Sequence, residues 1–214
     1  YFAAEYALLE YIRQYKKPII VMLDGFVLGG GFGLAQACHI QVSSEKSRFA
    51  MPETIIGFFP DVGATHFLSR LDEVGVYMAL TGEQISSSDA LYLDLLDYHV
   101  PSEQFTTLQT ALSSAQTLNE RRIREIIGGF ITDPAPSQLQ TMAERLNKHL
   151  GFATLDEIEK IIYRKKTIIV WCIETCVALL FIVFNTTEIH SSIVLAQTLV
   201  SIALISGKVQ TRNF

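Results

Sequence analysis

The chain has 214 residues, of which 49% are hydrophobic and 18% are charged, and its formal net charge is −5. This length and composition predict a globular protein with one sizeable core. Because the acidic chain carries no basic patch, nucleic acid is not an expected partner. The three cysteines, Cys38, Cys172 and Cys176, form no metal-binding pattern and indicate a reducing compartment.

The first elements of the chain alternate between helix and strand. Residues 3–15 place apolar side chains at helical spacing, and residues 19–23 form an apolar, β-branched run that is typical of a buried strand. Glu5 lies on the predicted helix, where a carboxylate is solvated by default. We see no targeting segment. Because the chain begins at Tyr1, within this predicted helix, we expect it to be part of a longer protein.

A glycine-rich junction follows at residues 29–33, between a short apolar run and a helix that we predict to begin at Leu34. Glycine lets a backbone approach a ligand closely, and N–H groups at a helix start can bind a phosphate or an oxyanion. A dinucleotide fingerprint is excluded, because the pattern that starts at Gly29 would need glycine at position 34. The simpler interpretation is tight packing between helix and strand, which alone would need about one or two glycines rather than the four found in these five positions.

An acidic loop is predicted at residues 52–63, after two strands at 40–43 and 48–51. It places Glu53 and Asp61 among isoleucine, phenylalanine and glycine, and its prolines and glycines exclude one continuous helix. A carboxylate in an apolar pocket has a tunable pKa, which suits acid–base or nucleophilic chemistry. The simpler interpretation makes Glu53 a surface residue and Asp61 the N-cap of the next helix.

Several short motifs of the sequence are specific to one family. They are Gly29-Gly30-Gly31-Phe32-Gly33-Leu34, Phe49-Ala50-Met51-Pro52-Glu53-Thr54 and Phe59-Pro60-Asp61-Val62-Gly63. These motifs resemble the enoyl-CoA hydratase/isomerase (crotonase) superfamily, and within it the 3-hydroxyisobutyryl-CoA hydrolase branch. The resemblance implies an α/β fold with a crotonase-type ββα spiral core at residues 1–113, the N-terminal part of that core lying upstream of this chain. A mostly helical region is implied at residues 114–214.

The resemblance also implies roles for five residues. Glu53 matches the catalytic glutamate of the family, Asp61 matches its acidic partner, and the Gly30 N–H matches one half of an oxyanion hole. Glu5 and Gly29 match further positions that line the substrate site, as do Gly30, Glu53 and Asp61. The second half of the oxyanion hole and the adenine-binding loop lie upstream in the family. The substrate is an acyl-CoA, and neither a metal nor a cofactor is implied.

From the resemblance we expect hydrolysis of a short branched 3-hydroxyacyl-CoA thioester, with 3-hydroxyisobutyryl-CoA of valine breakdown as the substrate. Glu53 either attacks as a nucleophile, giving a mixed anhydride, or activates a water as general base. Asp61 would orient the water or the substrate hydroxyl, and two neighbouring carboxylates should raise the pKa of one of them. Compartments that fit are the bacterial cytoplasm and the mitochondrial matrix of a eukaryote.

Three other functions are compatible with the sequence. Hydratases of the family usually carry glycine at the position of Asp61 and a second catalytic glutamate at the position of Gly33, so the residues argue against hydration or isomerisation. An inactive homologue that acts as a binding subunit is the second alternative. The third is a membrane-anchored form through residues 189–207, an uncharged run whose polar side chains favour a buried or homo-oligomer-contacting helix instead.

The C-terminal half is predicted to be mainly helical. Residues 120–127 form an amphipathic helix, residues 133–137 form a Pro-rich linker, and another helix follows from Ser137. Residues 154–157 have the spacing of a capping box. The basic cluster at residues 164–166 is interpreted as a solvated helix end rather than a site for the CoA phosphates.

Overall fold

The computed structural model describes residues 2–116 and 119–150, apart from the side chains of Lys148 and His149. The chain divides into two compact units. Of the described residues, those up to Phe49 and those from Ile85 to Gln140 belong to the first unit. Those from Ala50 to Gln84 and those from Thr141 onward belong to the second unit. The expected boundary between residues 113 and 114 stays a prediction.

The described residues contain eight α-helices, six short strands and two 3-10 helices. The helices are α1 (Phe2–Arg13), α2 (Gly30–Ala37), α3 (Ala64–Leu68), α4 (Asp72–Thr81), α5 (Ser87–Tyr92), α6 (Phe105–Ser114), α7 (Glu120–Gly128) and α8 (Gln138–Leu150). The strands are β1 (Ile20–Leu23), β2 (Phe26–Leu28), β3 (Ile40–Ser43), β4 (Arg48–Ala50), β5 (Ile85–Ser86) and β6 (Tyr98–His99). This mixture of helices and strands confirms the predicted α/β class.

The strands form two three-stranded sheets. One sheet has the order β1-β3-β6, and its strands are parallel, with Ile20 opposite Ile40 and Leu23 opposite Ser43. Parallel neighbours need a crossover connection, which α2 supplies between β1 and β3. The other sheet has the order β2-β4-β5, and β4 and β5 are antiparallel.

The core of the first unit lies between the parallel sheet and helices α6 and α7. The residues of this cluster are apolar and fully or almost fully buried. They are Ile40, Val42, Val100, Leu108, Leu112, Ile123 and Ile127. Helix α7 contributes Ile123 and Ile127 four residues apart while Arg121 and Arg122 stay exposed, so the amphipathic pattern predicted at residues 120–127 is confirmed.

Helix α2 begins at Gly30, so the predicted start at Leu34 is wrong. Gly29 is the N-cap with φ 52°, a left-handed conformation that favours glycine, and its carbonyl accepts hydrogen bonds from the N–H groups of Phe32 and Gly33. Phe32 is fully buried, with its ring centroid 5.3 Å from that of Phe49. This packing offsets the weak helix propensity of the glycines, which had suggested a loop.

The predicted linker at residues 133–137 is non-helical, and α8 follows it. The buried carboxylate of Asp89 holds the start of α8, because it accepts hydrogen bonds from the Ser137 hydroxyl and the Leu139 N–H. Its other oxygen accepts from the N–H and hydroxyl of Ser86. Burial alone would raise the pKa of Asp89, yet these hydrogen bonds keep that pKa below its usual value.

In the second unit, residues Pro52–Ile56 form a 3-10 helix where the sequence predicted a loop. Proline fits the start of such a helix, and Gly57 ends it in the left-handed conformation with φ 74°. Helix α3 begins at Ala64 with Gly63 as its N-cap. The interpretation of Asp61 as that N-cap is therefore wrong, and the Asp61 carbonyl instead accepts from the Ala64 N–H at 2.7 Å.

Several predictions fall on parts of the chain outside the described residues. These are the capping box at 154–157, the basic cluster at 164–166, the run at 189–207, and Cys172 and Cys176. Across the helices that the structure does describe, none has the length and apolar character to cross a membrane. Cys38 is partly buried, which raises the pKa of its thiol, and the thiol donates to the Leu34 carbonyl.

Candidate active site

Glu53 is the second residue of the 3-10 helix Pro52–Ile56 and is buried, with only 8% of its surface exposed. Its Oε2 atom has no hydrogen-bond partner among the described residues. The pKa of Glu53 is raised from its usual 4.5 to about 7. Burial is the main cause, a backbone hydrogen bond opposes it, and the negative charge of Asp61 adds a smaller increase. The expected elevation of one carboxylate's pKa is therefore found at Glu53, with burial as its main cause.

Asp61 occupies a turn with unusual backbone geometry. The next residue, Val62, has φ 45° and is 5% exposed, and Gly63 has φ 83°. A left-handed conformation is uncommon for a β-branched residue, and such strain is concentrated at functional sites. Between the two carboxylates in the chain, Phe58 and Phe59 stack with ring centroids 4.4 Å apart. The segment thus combines two carboxylates with aromatic side chains and a strained turn.

The raised pKa makes the stability of the protein depend on pH. Because the folded state binds the Glu53 proton more tightly than the unfolded state, stability contributed by this group is lost as pH rises from about 4.5 to about 7. We expect the free energy of unfolding of wild type, relative to Glu53→Gln, to fall by about 3 kcal/mol across that window.

Urea unfolding of both proteins between pH 4 and pH 8 would measure this difference. Glu83→Gln is the matched control, since Glu83 is an exposed carboxylate in the same unit. A difference between wild type and Glu53→Gln that stays constant from pH 4 to pH 8 would show that Glu53 titrates normally.

The first unit carries the other predicted site residues. Glu5 on α1 lies against the start of α2, where its Oε1 atom is 2.8 Å from the point that a Cβ on Gly30 would occupy. Alanine at position 30 would therefore displace this carboxylate. The structure brings Glu5 and Gly30 together, and Gly29 precedes them as the N-cap of α2.

A groove of about 440 Å³ lies beside this contact. Its lining is mostly aliphatic, and it is made by Ala4, Glu5, Leu8, Leu9, Gly30, Gly31 and Leu34. The N–H groups of Gly30 and Gly31 belong to the first turn of α2, where no carbonyl of the same helix accepts them. Free N–H groups of this kind can hold a developing oxyanion.

The family model described as enoyl-CoA hydratase/isomerase matches residues 1–180, which is most of the chain. The chain belongs to this family. The family membership confirms the resemblance that the sequence motifs predicted.

Among curated relatives of this crotonase-family chain, several are named as 3-hydroxyisobutyryl-CoA hydrolases. The mitochondrial protein of Xenopus tropicalis is 35% identical over 165 residues, which cover 76% of this chain and 43% of that protein. The mitochondrial human protein is 30% identical over 164 residues, which cover 74% of this chain and 42% of that protein. A probable 3-hydroxyisobutyryl-CoA hydrolase of Arabidopsis thaliana is 35% identical over 169 residues, which cover 78% of this chain and 42% of that protein. The chain spans less than half the length of these relatives.

Solved structures confirm the crotonase-type fold. A carnitinyl-CoA dehydratase from Mycobacterium thermoresistibile superposes with a TM-score of 0.75 at 26% identity, covering 95% of this chain and 55% of that one. An enoyl-CoA hydratase from Rhodobacter sphaeroides 2.4.1 gives a TM-score of 0.68 at 28% identity, covering 80% and 48%. These matches support the predicted spiral core as the architecture of this family member.

Gly33 and Asp61 are the two positions at which the sequence resemblance argues against a hydratase. Gly33 is buried within α2 and has no side chain. Asp61 lies in the second unit. In the part of the chain that the structure describes, no three His, Cys, Asp or Glu side chains are grouped in a way that could hold a metal ion.

Two features of the acidic segment were missed by the sequence interpretation. Thr54 is 8% exposed, and its hydroxyl has no hydrogen-bond partner among the described residues. The positive φ of Val62 was also missed. The only available signal for Thr54 was its place beside Glu53 in the Met-Pro-Glu-Thr motif, since hydrogen-bond satisfaction depends on tertiary contacts.

Proposed function

We propose that this protein hydrolyses the thioester of a short branched 3-hydroxyacyl-CoA, with 3-hydroxyisobutyryl-CoA as the substrate. The observation that carries the proposal is the buried Glu53, whose Oε2 has no partner among the described residues and whose pKa is raised by burial to about 7. The names of the curated relatives support the choice of reaction and substrate. The products would be 3-hydroxyisobutyrate and free CoA, as in valine breakdown.

In the proposed reaction, ionised Glu53 takes a proton from a water molecule as the water oxygen attacks the thioester carbonyl carbon. The tetrahedral intermediate then collapses, the C–S bond breaks, and the CoA thiolate receives the proton that Glu53 holds. Asp61 orients the water or the 3-hydroxyl of the substrate. We propose the general-base route, for which the raised pKa makes the Glu53 carboxylate a stronger base. Direct attack by Glu53 to give a mixed anhydride is the alternative.

Residues of the first unit would stabilise the oxyanion of the intermediate and line the substrate site. The Gly30 N–H would hydrogen-bond to the oxyanion of the intermediate, and Glu5 and Gly29 would line the substrate site beside it. No electron transfer is involved, so the proposed reaction needs no redox cofactor.

We extend the proposal to the compartment. The relatives from Xenopus tropicalis and human are named mitochondrial, and in a eukaryote the same reaction would place this chain in the mitochondrial matrix. In a bacterium it would act in the cytoplasm. The partner that we propose is the acyl-CoA substrate, and a homo-oligomer is compatible with the proposal.

Thiol release from a panel of acyl-CoA esters tests the proposed function directly. Thiol release from 3-hydroxyisobutyryl-CoA would be measured for this chain and for a form extended upstream of Tyr1, beside unbranched acyl-CoA esters. We expect kcat/KM to be at least about tenfold higher for the branched 3-hydroxy ester, because a site that hydrogen-bonds a substrate hydroxyl discriminates against esters that lack it.

Hydration of crotonyl-CoA is the competing activity in the same panel. The solved neighbours include an enoyl-CoA hydratase, which makes this the second candidate. Faster hydration of crotonyl-CoA than hydrolysis of any 3-hydroxyacyl-CoA would contradict the proposal. Absence of both activities in the extended form would favour a binding subunit.

A further inference from the structure

The 3-10 helix Pro52–Ile56 has an inverted distribution of polar and apolar side chains. Its polar residues Glu53 and Thr54 are both only 8% exposed, while Ile55 is 50% exposed and Ile56 is 81% exposed. Folding usually buries isoleucine and leaves carboxylates and hydroxyls in water. Local arrangements that oppose this trend are expected mainly where function requires them.

The two inward polar side chains are also the ones that lack hydrogen-bond partners. Over the described ranges, the buried side-chain atoms without a partner are Glu53 Oε2 and Thr54 Oγ1. Buried polar atoms are almost always hydrogen-bonded, so each exception calls for an explanation. That both atoms belong to consecutive residues points to one shared partner rather than to two unrelated defects.

Another threonine of the same unit shows the ordinary arrangement. Thr81 is 6% exposed, close to the value for Thr54. Its hydroxyl donates to the Tyr77 carbonyl at 2.8 Å and accepts from the Glu83 N–H at 3.2 Å. At Thr81, whose hydroxyl supports the fold, backbone groups of the same unit supply both hydrogen-bond partners. Thr54 has no such partner among the described residues.

We propose that Thr54 is a positioning residue that acts with Glu53 Oε2 to hold the attacking water. This inference rests on the proposed hydrolase function. A water molecule can donate one hydrogen to the Glu53 carboxylate and make a second hydrogen bond with the Thr54 hydroxyl. Two fixed hydrogen bonds orient the water, so that a lone pair of its oxygen faces the thioester carbon while Glu53 takes the proton.

The test is a comparison of Thr54→Val, which removes the hydroxyl with little change of shape, with Thr54→Ser, which retains it. We expect Thr54→Val to lower kcat for thiol release from 3-hydroxyisobutyryl-CoA by about tenfold to a hundredfold, with KM changed less than about twofold. Thr54→Ser should recover kcat to within about threefold of wild type.

Thermal unfolding separates positioning from structural support. Valine replaces a buried hydroxyl that lacks a protein partner, so Thr54→Val should keep or raise Tm. The matched control is Thr81→Val, which removes two hydrogen bonds at a similarly buried site and should lower Tm.

Two results would overturn this inference while leaving the hydrolase function intact. One is wild-type kcat in Thr54→Val while Glu53→Gln is inactive. The other is a parallel loss of kcat and Tm in Thr54→Val, as for Thr81→Val, which would assign Thr54 a structural role. If wild type releases no thiol from any acyl-CoA tested, the hydrolase function itself fails, and the role of Thr54 fails with it.

Discussion

Replacing Glu53 with glutamine is expected to lower kcat for thiol release by at least about a thousandfold, with KM within about threefold of wild type. Glutamine preserves the size of the side chain but cannot accept a proton from water at neutral pH. Burial raises the pKa of Glu53 to about 7 and also keeps bulk water away from its carboxylate. A solvent molecule therefore cannot act as the base in place of Glu53. Steady-state assays with 3-hydroxyisobutyryl-CoA would measure both constants.

Glu83→Gln is the control for this substitution. It makes the same chemical change at an exposed glutamate of the same unit, and it should leave kcat within about twofold of wild type. Retention of more than about a tenth of wild-type kcat in Glu53→Gln would show that another group acts as the base.

Gly75→Ala is expected to destabilise the protein by about 3 kcal/mol or more, although alanine is the better helix former. Gly75 is buried within α4, and a Cβ at this position would lie 1.9 Å from the carbonyl oxygen of Leu68 at the end of α3. That contact is with backbone, so no side-chain rotation can relieve it. Relief would require α3 and α4 to separate. Urea unfolding would measure the loss of stability.

Gly128 provides a matched control on another helix. It lies at the end of α7, is exposed, and has no atom within 4 Å of the position of an added Cβ. Gly128→Ala should be neutral or should stabilise the protein by up to about 1 kcal/mol. If Gly75→Ala were as harmless as Gly128→Ala, the close approach of α4 to Leu68 would be refuted.

Elements with strong local periodicity were predictable from the sequence. The amphipathic spacing of residues 3–15 and 120–127 corresponds to α1 and α7, and the β-branched run at 19–23 corresponds to β1. The start of α2 was not predictable, because glycine disfavours helices and the burial of Phe32 against Phe49 overrides that preference. Such a tertiary contact leaves no trace in local periodicity.

The candidate site was predictable to a different degree for each residue. The apolar neighbours of Glu53 indicated a buried carboxylate with a raised pKa, and the structure has both. Helical periodicity alone favoured a solvated Glu5, and only the family resemblance placed it at the site, where it contacts Gly30. The unsatisfied hydroxyl of Thr54 depends on what surrounds it in three dimensions. The catalytic roles of these residues stay predictions.

The pH dependence of kcat/KM for thiol release from 3-hydroxyisobutyryl-CoA tests the central role of Glu53 most directly, because this ratio reports ionisations of the free enzyme. A general base acts in its ionised form, so kcat/KM should rise with pH through a midpoint near the Glu53 pKa of about 7 and then level off. Glu53→Gln should lose this rising limb of the pH profile. A midpoint near the ordinary glutamate value of 4.5, or an unchanged limb in Glu53→Gln, would contradict the account.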